Sequence, residues 1–212
     1  MQNSRLENQK SKGFLTFAFC VLSWAACGQQ LIDRVMARIG TTAITWSDVR
    51  AAVGLGLVEA KSPDDPAALN QVIDRHLMLI EVTRFPPAEP SAAAIAERAE
   101  AMKKRAGTAL PELMTSTGLD EMRLHDLARD TLRIQAYIMQ RFGSTAIVGE
   151  DDARRYYDDH HEQFTRNGTL RPFDDVDAEA RRLASASRLQ DAITQWARDL
   201  RMFGVFWTPL AR

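Results

Sequence analysis

The side chains best suited to chemistry in this sequence are four histidines, two cysteines and a run of acids around residue 160. Asp158-Asp159-His160-His161-Glu162 is the densest grouping, and its residue types are those that ligate zinc. The spacing is wrong for that purpose. Neighbouring residues on a helix point about 100° apart, so His160 and His161 cannot both face one ion. The pattern that sets two histidines one turn apart with a glutamate between them does not occur. His76 falls beside Ile73 and Leu77 at helical spacing, which reads as a histidine at the edge of a core. His125 follows Glu121 by four residues and precedes Asp126, which reads as surface pairing. There is no Gly-x-Ser-x-Gly elbow, no Walker loop and no dinucleotide glycine fingerprint. No catalytic residue, metal or cofactor is expected.

What remains is apolar adaptability. Met102, Met114, Met122 and Met139 fall on the middle helices, and an unbranched thioether side chain conforms to varied partners. With Tyr137 and Phe142 they form the candidate substrate-binding set. The competing reading is that the methionines fill gaps in the core.

Composition narrows the function classes. Of the 212 residues 45% are hydrophobic and 26% charged, the balance of an ordinary globular protein and not of a disordered one. Lys and Arg number 27 against 28 Asp and Glu, so the near-neutral chain carries no basic excess for nucleic acid. Abundant Ala, Leu, Arg and Glu with only 11 Gly favour helix over sheet.

The first segment differs from the rest. Arg5, Lys10 and Lys12 precede an uncharged run from Gly13 to Ala26 (GFLTFAFCVLSWAA). A membrane-spanning helix needs about 20 apolar residues, a signal-peptide core only about 7–15. Ala26 and Gly28 suit a signal peptidase site, so residues 1–28 are expected to be a signal peptide and the mature chain to begin at Gln29, without a membrane span. Cys27 after two alanines also has the form of a lipoprotein acceptor, with Trp24 where such sites usually hold an aliphatic residue, so a lipid anchor there is an open alternative. Both cysteines, Cys20 and Cys27, lie in this segment, and no thiol is left for a disulfide or a nucleophile in a chain cut at Gln29.

The elements that would position a site follow from periodicity. Val35, Ala37 and Ile39 alternate with Met36 and Arg38, the period of a half-buried strand, and after Gly40-Thr41-Thr42 a short second strand covers Ala43 to Thr45. Ser47 is read as the cap of a helix running to about Gly56. Leu69, Val72, Ile73, Leu77, Ile80 and Phe85 give a buried helix face, stopped at Pro86-Pro87. Ser91 opens a helix to about Ala106, Pro111 to Thr117 a short one closed by Gly118, and Asp120 caps a long one to Phe142. Glu150-Asp151-Asp152 starts another helix, lined by Ala153, Tyr156, Tyr157, His160 and Phe164, and Arg166-Asn167-Gly168 is a turn. The last helix spans Phe173 to Arg201, with a stripe of Val176, Ala180, Leu183, Ala186, Leu189, Ile193, Trp196 and Leu200. Val205 and Phe206 in the closing MFGVFW read as a strand, and the opening strand is its natural partner. The fold class is therefore mostly α, one helical module in which a small β element pairs the N- and C-terminal strands.

The order of these segments carries a resemblance. Leu31 to Leu57, Ala68 to Phe85 and Gly118 to Phe142 resemble the N-terminal chaperone domain of the SurA family. Val148 to Phe164 is similar to the same family in its paired tyrosines and closing Phe, and Pro172 to Val205 resembles its C-terminal segment, with Trp196 and Leu200-Arg201 in place. On that likeness residues 29–164 form the N-terminal part of one chaperone module and residues 172–212 its C-terminal helix and strand. In the family a parvulin-type prolyl isomerase domain normally separates those parts. Here only Thr165 to Arg171 stands between them, too short for such a domain. Gly149 departs from the Ser or Thr the family often carries as a cap. The resemblance implies a periplasmic, ATP-independent holdase for unfolded polypeptides, outer-membrane proteins among them, that is not an enzyme. Two alternatives stay open: a prolyl-isomerase relative with residual activity, and a structural subunit of an envelope complex.

Overall fold

The computed structural model describes residues 33–203 and 207–209. The expected signal peptide, with Cys20 and Cys27, and the expected strand residues Val205 and Phe206 lie outside the described residues. The protein is mostly α-helical, with a small sheet that joins its opening strand to its last one.

The opening strand β1 (Val35–Ile39) turns at Gly40 and pairs antiparallel with β2 (Thr42–Thr45). Ala37 and Ile39 point into the core and Arg38 faces out, the alternation that period 2 imposes. On its other edge β1 takes the last strand, β5 (Trp207–Pro209), with Arg38 opposite Thr208, so the sheet order is β2-β1-β5. The two ends of the helical chain are thereby tied, by residues slightly beyond Val205 and Phe206.

Helix α1 (Trp46–Gly54) is capped by Thr45 and not by Ser47. The Asp48 amide donates to Thr45 Oγ1 at 3.2 Å, and the Thr45 amide donates back to the Asp48 carboxylate at 2.9 Å. That reciprocal box satisfies two amides the first turn would leave bare, which places the start two residues earlier than expected. The helix stops at Gly54, where a Cβ would stand 2.7 Å from Leu113 Cδ2. Glycine there lets α4 approach α1 closely.

Helix α2 (Pro66–Arg84) opens on an Asp65 cap with proline in its first turn. Its buried face is Val72, Ile73, Leu77, Met78 and Val82, whereas Phe85 is exposed as the residue after the last turn. Ser91 caps α3 (Ala92–Ala106), and α4 (Leu110–Thr117) ends on Gly118 in the left-handed region. Asp120 caps α5 (Glu121–Phe142), its side chain accepting from the Arg123 amide at 2.7 Å. Helix α6 (Glu150–Asp159) begins after Gly149, whose amide donates to Asp152 at 3.4 Å. Strands β3 (Thr165–Arg166) and β4 (Thr169–Leu170) form a two-residue hairpin on Asn167-Gly168, both with positive φ as the primed turn demands.

The longest helix, α7 (Phe173–Phe203), serves two cores. Its first half packs Phe173, Val176 and Ala180 against Ala153, Tyr157 and Phe164 around α6. Its second half packs Ile193, Trp196 and Leu200 against Met78 and Val82 of α2 and Ile134 and Tyr137 of α5. Between them the expected stripe does not hold: Ala184 is buried and Ala186 exposed. The helix changes partners there, and the Ser185 hydroxyl donates to the Ala146 carbonyl in the loop after α5. Two further clusters complete the interior, one of β1, β2, α1 and α2, the other where α3 and α4 meet the start of α5.

Candidate functional site

Helices α2 and α7 enclose a cleft of about 710 Å³, with Ile134 of α5 also contributing to its lining and the turn at Leu57–Glu59 at its edge. On α2, Gln71, Asp74, Arg75 and Met78 recur at three- and four-residue steps, which sets them on one face. On α7, Gln190, Ile193, Thr194, Ala197 and Arg201 do the same. Met78, Ile134 and Ile193 also belong to the core behind, so the floor of the cleft is the outer layer of a packed apolar cluster. The volume falls in the range of ligand pockets, roughly 300–1,000 Å³.

Arg201 fastens α7 to α2. Its Nε donates to Asp74 Oδ1 at 2.5 Å, Nη2 to the Asn70 carbonyl at 2.8 Å and Nη1 to Asn70 Oδ1 at 3.3 Å. Behind the cleft Trp196 stacks on Tyr137, centroids 5.3 Å apart and planes at 24°, and meets Phe142 at 5.6 Å. One helix is thus held by a polar clasp and an aromatic stack, and the cleft lies alongside both.

Arg75 is the unusual member. Its Nη2 donates to Thr131 Oγ1 at 2.8 Å and to the Leu127 carbonyl at 3.2 Å, both on α5 and both uncharged. Thr131 in turn donates to the Leu127 carbonyl at 2.7 Å. Burial pulls the Arg75 guanidinium down to about 10, Asp130 opposing and Arg98 adding to that shift, so it remains a cation at neutral pH. No carboxylate among the described residues forms an ion pair with it.

The six residues expected to bind substrate are not brought together. Met102 is 3% and Tyr137 6% exposed, each a core side chain: Met102 packs with Leu113 and Leu124, Tyr137 under Trp196. Met114 and Phe142 are partly buried against those same cores. Only Met122 and Met139, 73% and 58% exposed, stand on the surface. The gap-filling reading therefore accounts for Met102, and in part for Met114. The cleft residues were missed because Gln71, Arg75 and Gln190 have the types of a solvated helix face.

The histidines go separate ways. His160 Nδ1 lies 2.9 Å from the Tyr156 carbonyl and its ring stacks on Tyr156, while His161 turns to Tyr157 and Asp158. His125 is exposed, and Glu121 pairs with Lys103 at 2.8 Å. His76 is half-buried, and burial holds it below its usual 6.5 against the fields of Asp48 and Asp130. Among the described residues no group of three or more His, Cys, Asp or Glu is placed to hold a metal ion. Among them, too, no helix is long and apolar enough to cross a membrane.

Compared with protein-family models, with curated proteins and with solved structures, the chain matches none.

Proposed function

We propose that the protein is an exported, periplasmic chaperone that holds unfolded polypeptides without ATP and without catalysis, outer-membrane proteins being the expected clients. The observation that carries this reading is the cleft between α2 and α7, an apolar floor edged by amide and hydroxyl side chains. An extended polypeptide presents both kinds of surface, apolar side chains and unpaired peptide groups, and a cleft with both linings can engage it without reading one sequence. The SurA-like order of segments supports the same function, and the short hairpin at Thr165–Leu170 stands where that family normally inserts its isomerase. Met122, Met139 and Phe85 add exposed apolar area elsewhere on the helices.

The test is suppression of aggregation when a urea-unfolded outer-membrane barrel protein is diluted into buffer with equimolar chaperone and no nucleotide. Protection should survive moderate salt, because apolar burial is not screened as surface charges are. Ile193→Asp, on the floor of the cleft, should reduce protection while the helical circular-dichroism spectrum is kept. No protection of any unfolded client by the wild type would favour a structural subunit with one dedicated partner instead. Export is tested by intact mass from the native envelope, expected to give an N-terminus at Gln29. A diacylglyceryl group on Cys27 would make it a lipoprotein.

A further inference from the structure

The geometry points to a carboxylate-recognition site at Arg75: the cleft receives the C-terminal end of a polypeptide, an apolar last residue on the floor and its α-carboxylate on the guanidinium. This rests on the reading of the cleft as a polypeptide site and adds which part of the chain it grips.

Three observations carry it. Arg75 is held from one side only, by two neutral acceptors on Nη2, and among the described residues no hydrogen bond reaches Nε or Nη1. Arg75 lines the cleft, neither its Nε nor its Nη1 is among the buried polar atoms left without a partner, and a guanidinium with free donors is the shape that takes a carboxylate two-pronged. The local acids offset its charge only in part. Asp74 is engaged by Arg201, Asp130 acts on Arg75 through its field without forming an ion pair with it, and Arg98 adds an opposing positive field. Glu59 is the remaining acid in the lining, and it is exposed, while Arg198, also exposed, adds a cation there.

The second observation is the floor. Met78, Ile134 and Ile193 offer an apolar surface next to the cation, so the ligand must present a carboxylate and an apolar body together. The third separates a peptide from a fatty acid, which shares that chemistry. Gln71 lines the same cleft, its Oε1 already accepting from the Glu59 amide at 2.6 Å and its NH₂ group so kept for a ligand carbonyl. An acyl chain would lay methylenes against that NH₂ group and leave it dry and unpaired, whereas a peptide brings a carbonyl and an amide at every residue.

Fluorescence anisotropy with a short apolar peptide labelled at its N-terminus tests this, comparing the free acid with the C-terminal amide on the intact protein. A hydrogen bond to a charged group is worth about 1.5–3 kcal/mol, so the acid should bind about ten- to a hundredfold more tightly. Arg75→Gln should bring the two affinities together, the acid losing its advantage of about tenfold or more over the amide. The acid–amide comparison on wild-type protein needs no variant, so a misfolded Arg75→Gln protein does not remove the test. Equal affinity for acid and amide would overturn the inference, as would failure to bind either peptide. A fatty acid that binds with the same Arg75 dependence while the peptide does not would put a lipid in the cleft and overturn it too. Aggregation suppression measured on the same preparation separates the failures: if clients are still protected, only the terminal-carboxylate inference falls. If they are not, the chaperone reading falls with it.

Discussion

Replacing Trp196 with alanine should cost about 3–5 kcal/mol of stability, enough to be a large fraction of what a domain of this size has. The figure follows from the site. Trp196 is 5% exposed and is the side chain by which the second half of α7 enters the core built by α2 and α5. It loses its stack on Tyr137 and its tilted contact with Phe142 when truncated, and such ring pairs add about 0.5–1.5 kcal/mol beyond buried area. Tyr137 does not readily move into the gap, because the Arg141 guanidinium donates to its hydroxyl at 2.9 Å and holds the ring in place. Urea unfolding followed by circular dichroism is the assay. With a slope of about 2 kcal/mol per molar, the midpoint should fall by roughly 1.5–2.5 M. Trp196→Phe, which keeps a ring against Tyr137, should lose less than half of that. A loss below about 1 kcal/mol for the alanine variant would refute the reasoning and hand the docking of α7 to the Arg201 clasp.

Three further outcomes test other parts of the fold. Thr45→Ala removes the capping box of α1 and should cost about 1 kcal/mol by the same urea assay, whereas Ser47→Ala should change little. Burial lowers the protonation of His76 in the folded protein, so its stabilising share is complete above about pH 6.5 and is lost as pH falls through the lower folded value. His76→Gln should therefore show a shallower loss of urea midpoint from neutral to mildly acid pH than the wild type. Truncation after Phe203 removes β5 and bares an edge of β1, and should lower stability by about 1–3 kcal/mol, or several degrees in Tm; an unchanged Tm would mean that the tie between the chain's ends contributes nothing.

Much of this architecture was written in local sequence, and particular residues show why. Ser91, Asp120 and Gly118 act at helix ends through their own side chain or backbone freedom, so they could be read one at a time. Ala37 and Ile39 fell on the buried face because a strand of period 2 leaves no other choice. The errors came where a nearer competitor or a distant partner decided. Ser47 was a plausible cap, but Thr45 with Asp48 three residues on satisfies two amides, and that pairing was visible in the sequence. Ala186 kept the stripe of α7 on paper only, since which face is buried depends on α6 for half the helix and on α2 and α5 for the rest.

The cleft was the least legible feature, for a reason that is physical and general. A helix face that lines a cleft must be partly polar, and Gln71, Asp74 and Arg75 are the residues a solvated face would also carry. What distinguishes them is contact across the chain: Asp74 is claimed by Arg201 and Arg75 by Thr131 and Leu127. Those pairings have opposite consequences. The Asp74 carboxylate is engaged and closes the end of the cleft, so it offers nothing to a ligand. Arg75 is hydrogen-bonded only to neutral oxygens, which orient a guanidinium without cancelling it, and Asp130 reaches it through its field and not as an ion pair. The same fold therefore fixes one ion pair as structure and leaves the Arg75 guanidinium with donors to spare beside an apolar floor, and this asymmetry between two neighbouring residues of α2 underlies the preference proposed for the cleft.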